Sequence, residues 1–229
     1  AATAWAAAWS DIEKETASTV VDSEGKAVTD QIKNTGTLQA DGGTVILDAD
    51  SVSGIFKKAI NLEGYATANK VESKDGVIRI VADQDVRVNA TVRATNIEVG
   101  DPANKVPENV EIAGGSLEEE KTITVLAKNN ITTNSNLTTS EGDIKILADQ
   151  DNNAKGSFTQ SAGTIYAQKE GDVYIDASET MSLLKIKTDD GFIKIGTQRT
   201  PKEITGEPYY IHTKGHFEIN SKSESNNIA

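Results

Sequence analysis

Apolar and polar residues alternate in short bursts along this chain, and the bursts recur. Gly43-Thr44-Val45-Ile46-Leu47-Asp48-Ala49-Asp50, Gly76-Val77-Ile78-Arg79-Ile80-Val81-Ala82-Asp83 and Gly142-Asp143-Ile144-Lys145-Ile146-Leu147-Ala148-Asp149 are copies of one unit. Gly171-Asp172-Val173-Tyr174-Ile175-Asp176-Ala177-Ser178 and Gly191-Phe192-Ile193-Lys194-Ile195-Gly196 repeat it, and Lys121-Thr122-Ile123-Thr124-Val125-Leu126-Ala127-Lys128 does so without the glycine. A period of two residues marks a strand with one face buried. Weaker strand signals lie between the copies, at Thr37–Ala40, Thr91–Ala94, Asn136–Thr139 and Thr164–Ala167.

The spacing selects an architecture. Lys121 to Gly142 is 21 residues, Gly171 to Gly191 is 20, and the longer steps of 29 and 45 read as one or two units plus a loop. A period of about 20 residues holding two or three strands is too short for a propeller blade and lacks a leucine-rich consensus. Such a unit cannot bury its apolar side alone, whereas stacked coils share one core. Ala49, Ala82, Ala148 and Ala177 follow the strands, as inward corners too tight for larger side chains would require. The expectation is an all-β, right-handed parallel β-helix, a β-solenoid of about nine coils spanning roughly 43 Å at one strand spacing per coil. An antiparallel sandwich is the rival, with Asp41-Gly42-Gly43, Asp75-Gly76 and Asp190-Gly191 as its hairpin turns.

Two stretches break the pattern. Val52, Ile55, Phe56, Ala59 and Ile60 fall at helical spacing, predicting a short helical insertion near 52–61. Residues 100–109, with Pro102 and Pro107, read as a loop, as do residues 200–208. The shaft is therefore assigned to 31–229. Residues 1–30 mix a helical Ala-rich run, a cap-like Ser10-Asp11-Ile12-Glu13 and a strand-like Thr19-Val20-Val21, and read as a capping or interface segment.

Composition narrows the chemistry. The 229 residues contain no cysteine, which excludes disulfides, thiolate metal sites and a cysteine nucleophile. Apolar stretches are too short for a transmembrane helix. The 23 basic residues against 35 acidic ones, a net charge of −12, argue against nucleic acid and anionic membranes as partners. The chain opens Ala1-Ala2-Thr3-Ala4-Trp5 without an initiator methionine or a signal-peptide pattern, as a processed product or a piece of a longer protein would.

The run from Ile32-Lys33-Asn34-Thr35-Gly36-Thr37-Leu38-Gln39-Ala40-Asp41-Gly42-Gly43 to Thr44-Val45-Ile46-Leu47-Asp48-Ala49 resembles a passage of filamentous-haemagglutinin-type exoproteins. Ile60-Asn61-Leu62-Glu63-Gly64-Tyr65-Ala66-Thr67-Ala68 and Asp75-Gly76-Val77-Ile78-Arg79-Ile80 continue the resemblance. The likeness covers residues 32–99; beyond them only the periodicity agrees. Residues 1–30 do not carry the usual start of that family's secretion region. The resemblance implies a rod-shaped bacterial surface or secreted protein, exported through an outer-membrane pore, that serves adhesion, biofilm matrix or carriage of a distal toxin.

Candidate chemistry is sparse. Asp83-Gln84-Asp85 and Asp149-Gln150-Asp151 follow equivalent strands, and Asp83, Asp85, Asp149 and Asp151 are candidate oxygen ligands for Ca²⁺; no other cofactor is implied. The commoner role of such turn aspartates is to bond their own backbone. Asp189-Asp190 is an adjacent pair that a turn would point apart, unlike the opposed carboxylates of a glycosidase. A lyase would need a base beside Ca²⁺, and Arg79, Arg87 and Arg93 are the outward candidates, with cross-rung ion pairing as their ordinary role. His212 and His216 are four apart, but Gly215 denies them the helix that a metal pair needs. Trp5, Trp9, Tyr209 and Tyr210 sit near the two ends as candidate interface anchors.

The expectation is a non-catalytic shaft of an extracellular or bacterial outer-surface adhesin or matrix protein. Its partners would be further coils of the same polypeptide or identical subunits, with glycans or a cell-surface receptor compatible. The alternatives are a subunit of a self-assembling extracellular filament and, third, a Ca²⁺-dependent glycan-active enzyme.

Overall fold

A backbone that alternates inward apolar and outward polar residues in three-residue to six-residue bursts can satisfy its hydrogen bonds only on neighbouring strands. The computed structural model, which describes residues 23–39, 44–49, 58–63, 65–68, 76–206 and 210–222, shows that those neighbours lie one coil earlier and one coil later. β1 (Asp30–Asn34), β2 (Thr37–Gln39) and β3 (Thr44–Ala49) form the first coil, and β4 (Lys58–Leu62), β5 (Tyr65–Ala68) and β6 (Val77–Ala82) the second. β7 (Val86–Val99) and β8 (Val110–Leu126) each wrap a whole coil as one bent strand. Then come β9 (Ile131–Thr133), β10 (Asn136–Thr139) and β11 (Ile144–Leu147), followed by β12 (Phe158–Gln160), β13 (Ile165–Ala167) and β14 (Val173–Asp176). β15 (Thr180–Ser182), β16 (Lys185–Thr188) and β17 (Ile193–Ile195) precede the last coil of β18 (Glu203–Thr205), β19 (Tyr210–His212) and β20 (Phe217–Ile219).

Every pairing between the described strands is parallel. The first face stacks β1, β4, the start of β7, the start of β8, β9, β12, β15 and β18 as eight rungs. The second face stacks β2, β5, the middle of β7 and β8, β10, β13, β16 and β19. The third stacks β3, β6, the ends of β7 and β8, β11, β14, β17 and β20. The fold is a parallel β-solenoid. The sequence repeat is thereby explained: all the strong copies occupy the third face, and the weaker strands between them occupy the second.

The core is a set of vertical columns. On the third face Ile78, Ile97, Ile123, Ile144, Val173 and Ile193 stand one above another, all fully buried. Ala49, Ala82, Ala148 and Ala177 are buried at the inward corner, as their size suggested. Polar residues inside the coil serve the other corners. Gln160, 3% exposed, donates from Nε2 to the carbonyls of Gly163 and Lys185, while its Oε1 accepts the N–H groups of Leu184 and Lys185. Thr188, also buried, donates from Oγ1 to the Gly191 carbonyl at 2.8 Å.

Between the second and third faces, Gly142, Gly171, Gly191 and Gly215 form a column of their own. A Cβ on Gly171 would run into the carbonyl of Gly142, and one on Gly191 into that of Gly171. Glycine opens these repeats because the chain turns against the coil below.

The helical expectation for 52–61 fails where it can be compared. Residues 58–61 belong to strand β4, paired with β1 on one side and β7 on the other. Ile60 fits both periods, but Ile60 and Leu62 are both fully buried at a spacing of two, and the flanking rungs supply the hydrogen bonds a helix would otherwise make internally. Residues 52–57 and 1–22 lie outside the described residues. Residues 100–109 run outside any strand, whereas residues 200–208 contain β18, which belongs to the eighth rung.

Urea unfolding should rank three substitutions. Leu137→Ala empties part of a buried column and should cost about 2–5 kcal/mol. Gly171→Ala should cost about 2 kcal/mol or more by forcing two coils apart. Thr159→Ala, on an outward position, should stay within about 0.5 kcal/mol of the parent. A Gly171→Ala protein as stable as Thr159→Ala would contradict the glycine column.

Candidate functional site

In a parallel stack each outward residue stands over its counterpart one coil away, at the strand spacing of about 4.8 Å. The outer faces are therefore read as vertical columns. The three outward arginines each bind a glutamate on the next rung: Arg79 Nε to Glu98 at 2.6 Å, Arg87 Nε to Glu111 at 3.0 Å, and Arg93 Nε to Glu118 at 2.5 Å. Lys33 and Glu63 extend the Arg87 column to the first coil, at 3.1 Å. The Lys33 ammonium, then the Asn61 amide, hold the Glu63 carboxyl below its ordinary range, and Arg93, then the Ser116 hydroxyl, do the same for Glu118. These arginines take the cross-rung pairing expected of them.

A second cluster flanks the glycine corner. On the second face the Tyr166 hydroxyl donates to Asp189 Oδ1 at 2.7 Å, while the Lys187 ammonium lies 4.0 Å from the ring centroid. On the third face the Tyr174 hydroxyl donates to Asp172 Oδ2 at 2.7 Å, with Lys145 at 5.8 Å and Lys194 at 5.4 Å from its ring. The hydrogen bond to Asp172, with burial behind it, pushes the Tyr174 phenol up to about 12. Tyr166, then the Lys169 backbone N–H, lower the Asp189 carboxyl. The aspartates also stitch the corner vertically: Asp143 Oδ1 accepts the N–H of Asp172 at 3.1 Å, and Asp172 Oδ1 that of Phe192 at 2.7 Å. The column ends in Phe192, exposed, with the His216 ring edge-on at 6.0 Å.

The four candidate calcium ligands are not brought together. Asp83 and Asp85 follow β6, and Asp149 and Asp151 follow β11, three rungs further along the same face, with Gly100 and Lys128 at the corners between. Asp85 accepts from the Asn109 amide at 2.8 Å, and Asp151 from that of Asn153 at 2.6 Å. Asp149 is buried; its carboxylate accepts the Ser178 hydroxyl and the Ala154 N–H. Among the described residues no group of three or more acidic or histidine side chains is placed to hold a metal. His212 and His216 are both exposed, on β19 and just before β20. The Asp189 carboxylate faces Tyr166, and the Asp190 backbone N–H donates to the Lys169 carbonyl. Of the end aromatics, Tyr210 opens β19, paired with Lys185; Trp5, Trp9 and Tyr209 lie outside the described residues.

One polar cluster escaped sequence reading. Asp176 occupies an outward strand position yet is fully buried, because residues 198 and 199 fold over it and donate both N–H groups to its Oδ1, at 3.0 and 3.2 Å. The Arg199 side chain continues to Asn152 Oδ1 at 2.9 Å, two rungs below. A run of Asp and Ser after equivalent strands was the only signal, and its partner loop is 22 residues away. Next to it a groove of about 340 Å³ runs between Gly100–Pro102 and the third face, floored by Leu126 and Leu147 and edged by the Arg79–Glu98 pair.

No protein-family model, curated protein or solved structure matches this chain.

The ionisable columns set a pH window. Folded-state values lowered from 4.5 at Glu63 and Glu118 mean that their stabilisation is complete above that pH and is lost as pH falls through the folded values. Glu118→Gln should therefore lower the melting temperature at pH 7 and flatten its decline below pH 4.5. Tyr174 runs the other way: its neutral form stabilises the fold below 10.0, and that is lost as pH rises toward about 12. Phenolate absorbance should include a late-ionising tyrosine that vanishes in Tyr174→Phe; an unchanged titration would contradict the Asp172 contact.

Proposed function

We propose that this chain is a non-catalytic structural shaft of a bacterial extracellular or cell-surface protein of the adhesin or matrix type. The observation that carries the reading is the uninterrupted core: the inward columns continue from one rung to the next, while chain excursions go outward at corners. A protein built this way offers length and stiffness, because bending it would open hydrogen bonds on one face and compress those on another. Its charged groups are spent on the same purpose. The three outward arginines and the Asp189 carboxylate each contact a residue one coil away, which leaves them joining rungs rather than converging on a substrate. The surface location rests on the resemblance of residues 32–99 to filamentous-haemagglutinin-type exoproteins.

Antibodies against the chain should label intact producing cells, or material shed from them, and should decorate elongated rods in negative-stain electron microscopy. Labelling only after permeabilisation would overturn the surface location. Incubation with a panel of polysaccharides and Ca²⁺ should release neither reducing nor unsaturated ends; release that survives purification would replace the shaft with the enzyme.

A further inference from the structure

Among the described residues the hydrophobic columns are fully buried through the middle of the stack and only partly buried in its first and last coils. The partly buried apolar residues packed on the core are Ile32, Leu38, Val45 and Leu47 in the first coil, and Ile204, Ile211, Phe217 and Ile219 in the last. They are the two ends of the same four columns. Tracing the register upward from Ile32 leads to Ile204, from Leu38 to Ile211, from Val45 to Phe217, and from Leu47 to Ile219. Among the described residues each strand of these two coils has a strand partner on one side only. An open strand edge backed by exposed core is a template for one more parallel strand.

We propose that the last coil of one molecule docks on the first coil of a second copy, head to tail, as if it were the next rung. This rests on the shaft reading and names the partner of the shaft's ends. The register places Ile204 over Ile32, Ile211 over Leu38, Phe217 over Val45 and Ile219 over Leu47. Outside the core it sets Thr205 over Lys33, Glu203 over Gln31 and Glu218 over Ile46, so no like charges are opposed and the exposed Ile46 gains a cover. Such a contact joins two different surfaces without closing a ring, and therefore propagates as a filament. With a net charge of −12 on every copy, long-range repulsion opposes it, and added salt strengthens it.

The chain has no cysteine, so one pair of substitutions reads the register directly. Lys33→Cys and Thr205→Cys are made in separate chains, mixed and oxidised, while sedimentation velocity follows the parent chain at rising concentration and at two salt levels. The expected result is a mixed Lys33→Cys/Thr205→Cys dimer well in excess of either like pair, with parent oligomers that grow with concentration and with salt. Phe217→Asp should shift the parent distribution to monomer. Monomers throughout, or disulfides mainly between like chains, overturn the proposal; so does association that Phe217→Asp leaves intact while the mixed dimer fails to form. If Phe217→Asp disturbs the last coil, the cysteine pair still decides. Monomeric rods found on the cell surface would sink this inference and leave the shaft standing.

Discussion

Every coil of this protein is hydrogen-bonded to the coils beside it and very little to itself. That one constraint, parallel and in register, determines most of what the chain looks like. A parallel ladder aligns each residue with the same position one turn on, so an inward position stays buried from coil to coil, and where a column turns polar, as from Ile112 to Thr133 and Gln160, the side chain is given hydrogen-bond partners. It also removes any place where a strand could slip without exposing a whole column. The magnitudes agree with that priority. A buried isoleucine contributes about 1.5–3 kcal/mol. An outward pair such as Arg93–Glu118, its side chains 50% and 41% exposed, belongs to a class worth about 0–1 kcal/mol.

The constraint binds the faces and releases the corners. β7 and β8 cross two corners without leaving their ladder, and the register shifts there, between Val88 and Asn89 and between Ala94 and Asn96. Elsewhere the turns are held by groups that reach along the stack: Gln160 inside, Asp143 and Asp172 outside, and Asp176 beneath the loop at 198–199. These polar side chains act as substitutes for missing backbone partners. They explain why a turn that looks like generic Gly-Asp in sequence, as at Gly142-Asp143 and Gly171-Asp172, is specific in structure.

What was legible in the sequence obeys the same division. The third face declared itself, because its strands carry two or three inward residues each, as in Ile144-Lys145-Ile146, and glycine marks their start. The second face was visible as shorter strands. The first face was not singled out from β9 onward: Ile131-Thr132-Thr133 and Phe158-Thr159-Gln160 have one large apolar residue apiece, too few for a period to show. The helical reading at 52–61 had another source: Ile60 satisfied either period, and Leu62, which marks the period of two, lies just past that stretch. Equivalence of the Asp83 and Asp149 corners was readable, but their distance along the stack depended on two intervening rungs whose strands had merged into β7 and β8. Asp176 could not be found, since its cover comes from the next coil.

Coil length varies far more than coil spacing. The step from Ile144 to Val173 takes 29 residues and the next, from Val173 to Ile193, only 20, yet both advance the third face by one rung. Extra chain is discharged sideways at a corner and adds nothing to the axis. Insertions and duplications therefore have separate consequences in such a lineage. An inserted loop changes what the surface displays at one level, and only a whole added coil makes the rod longer. Ornament and reach can drift independently, as the pendants on a measuring chain can be changed without altering its links.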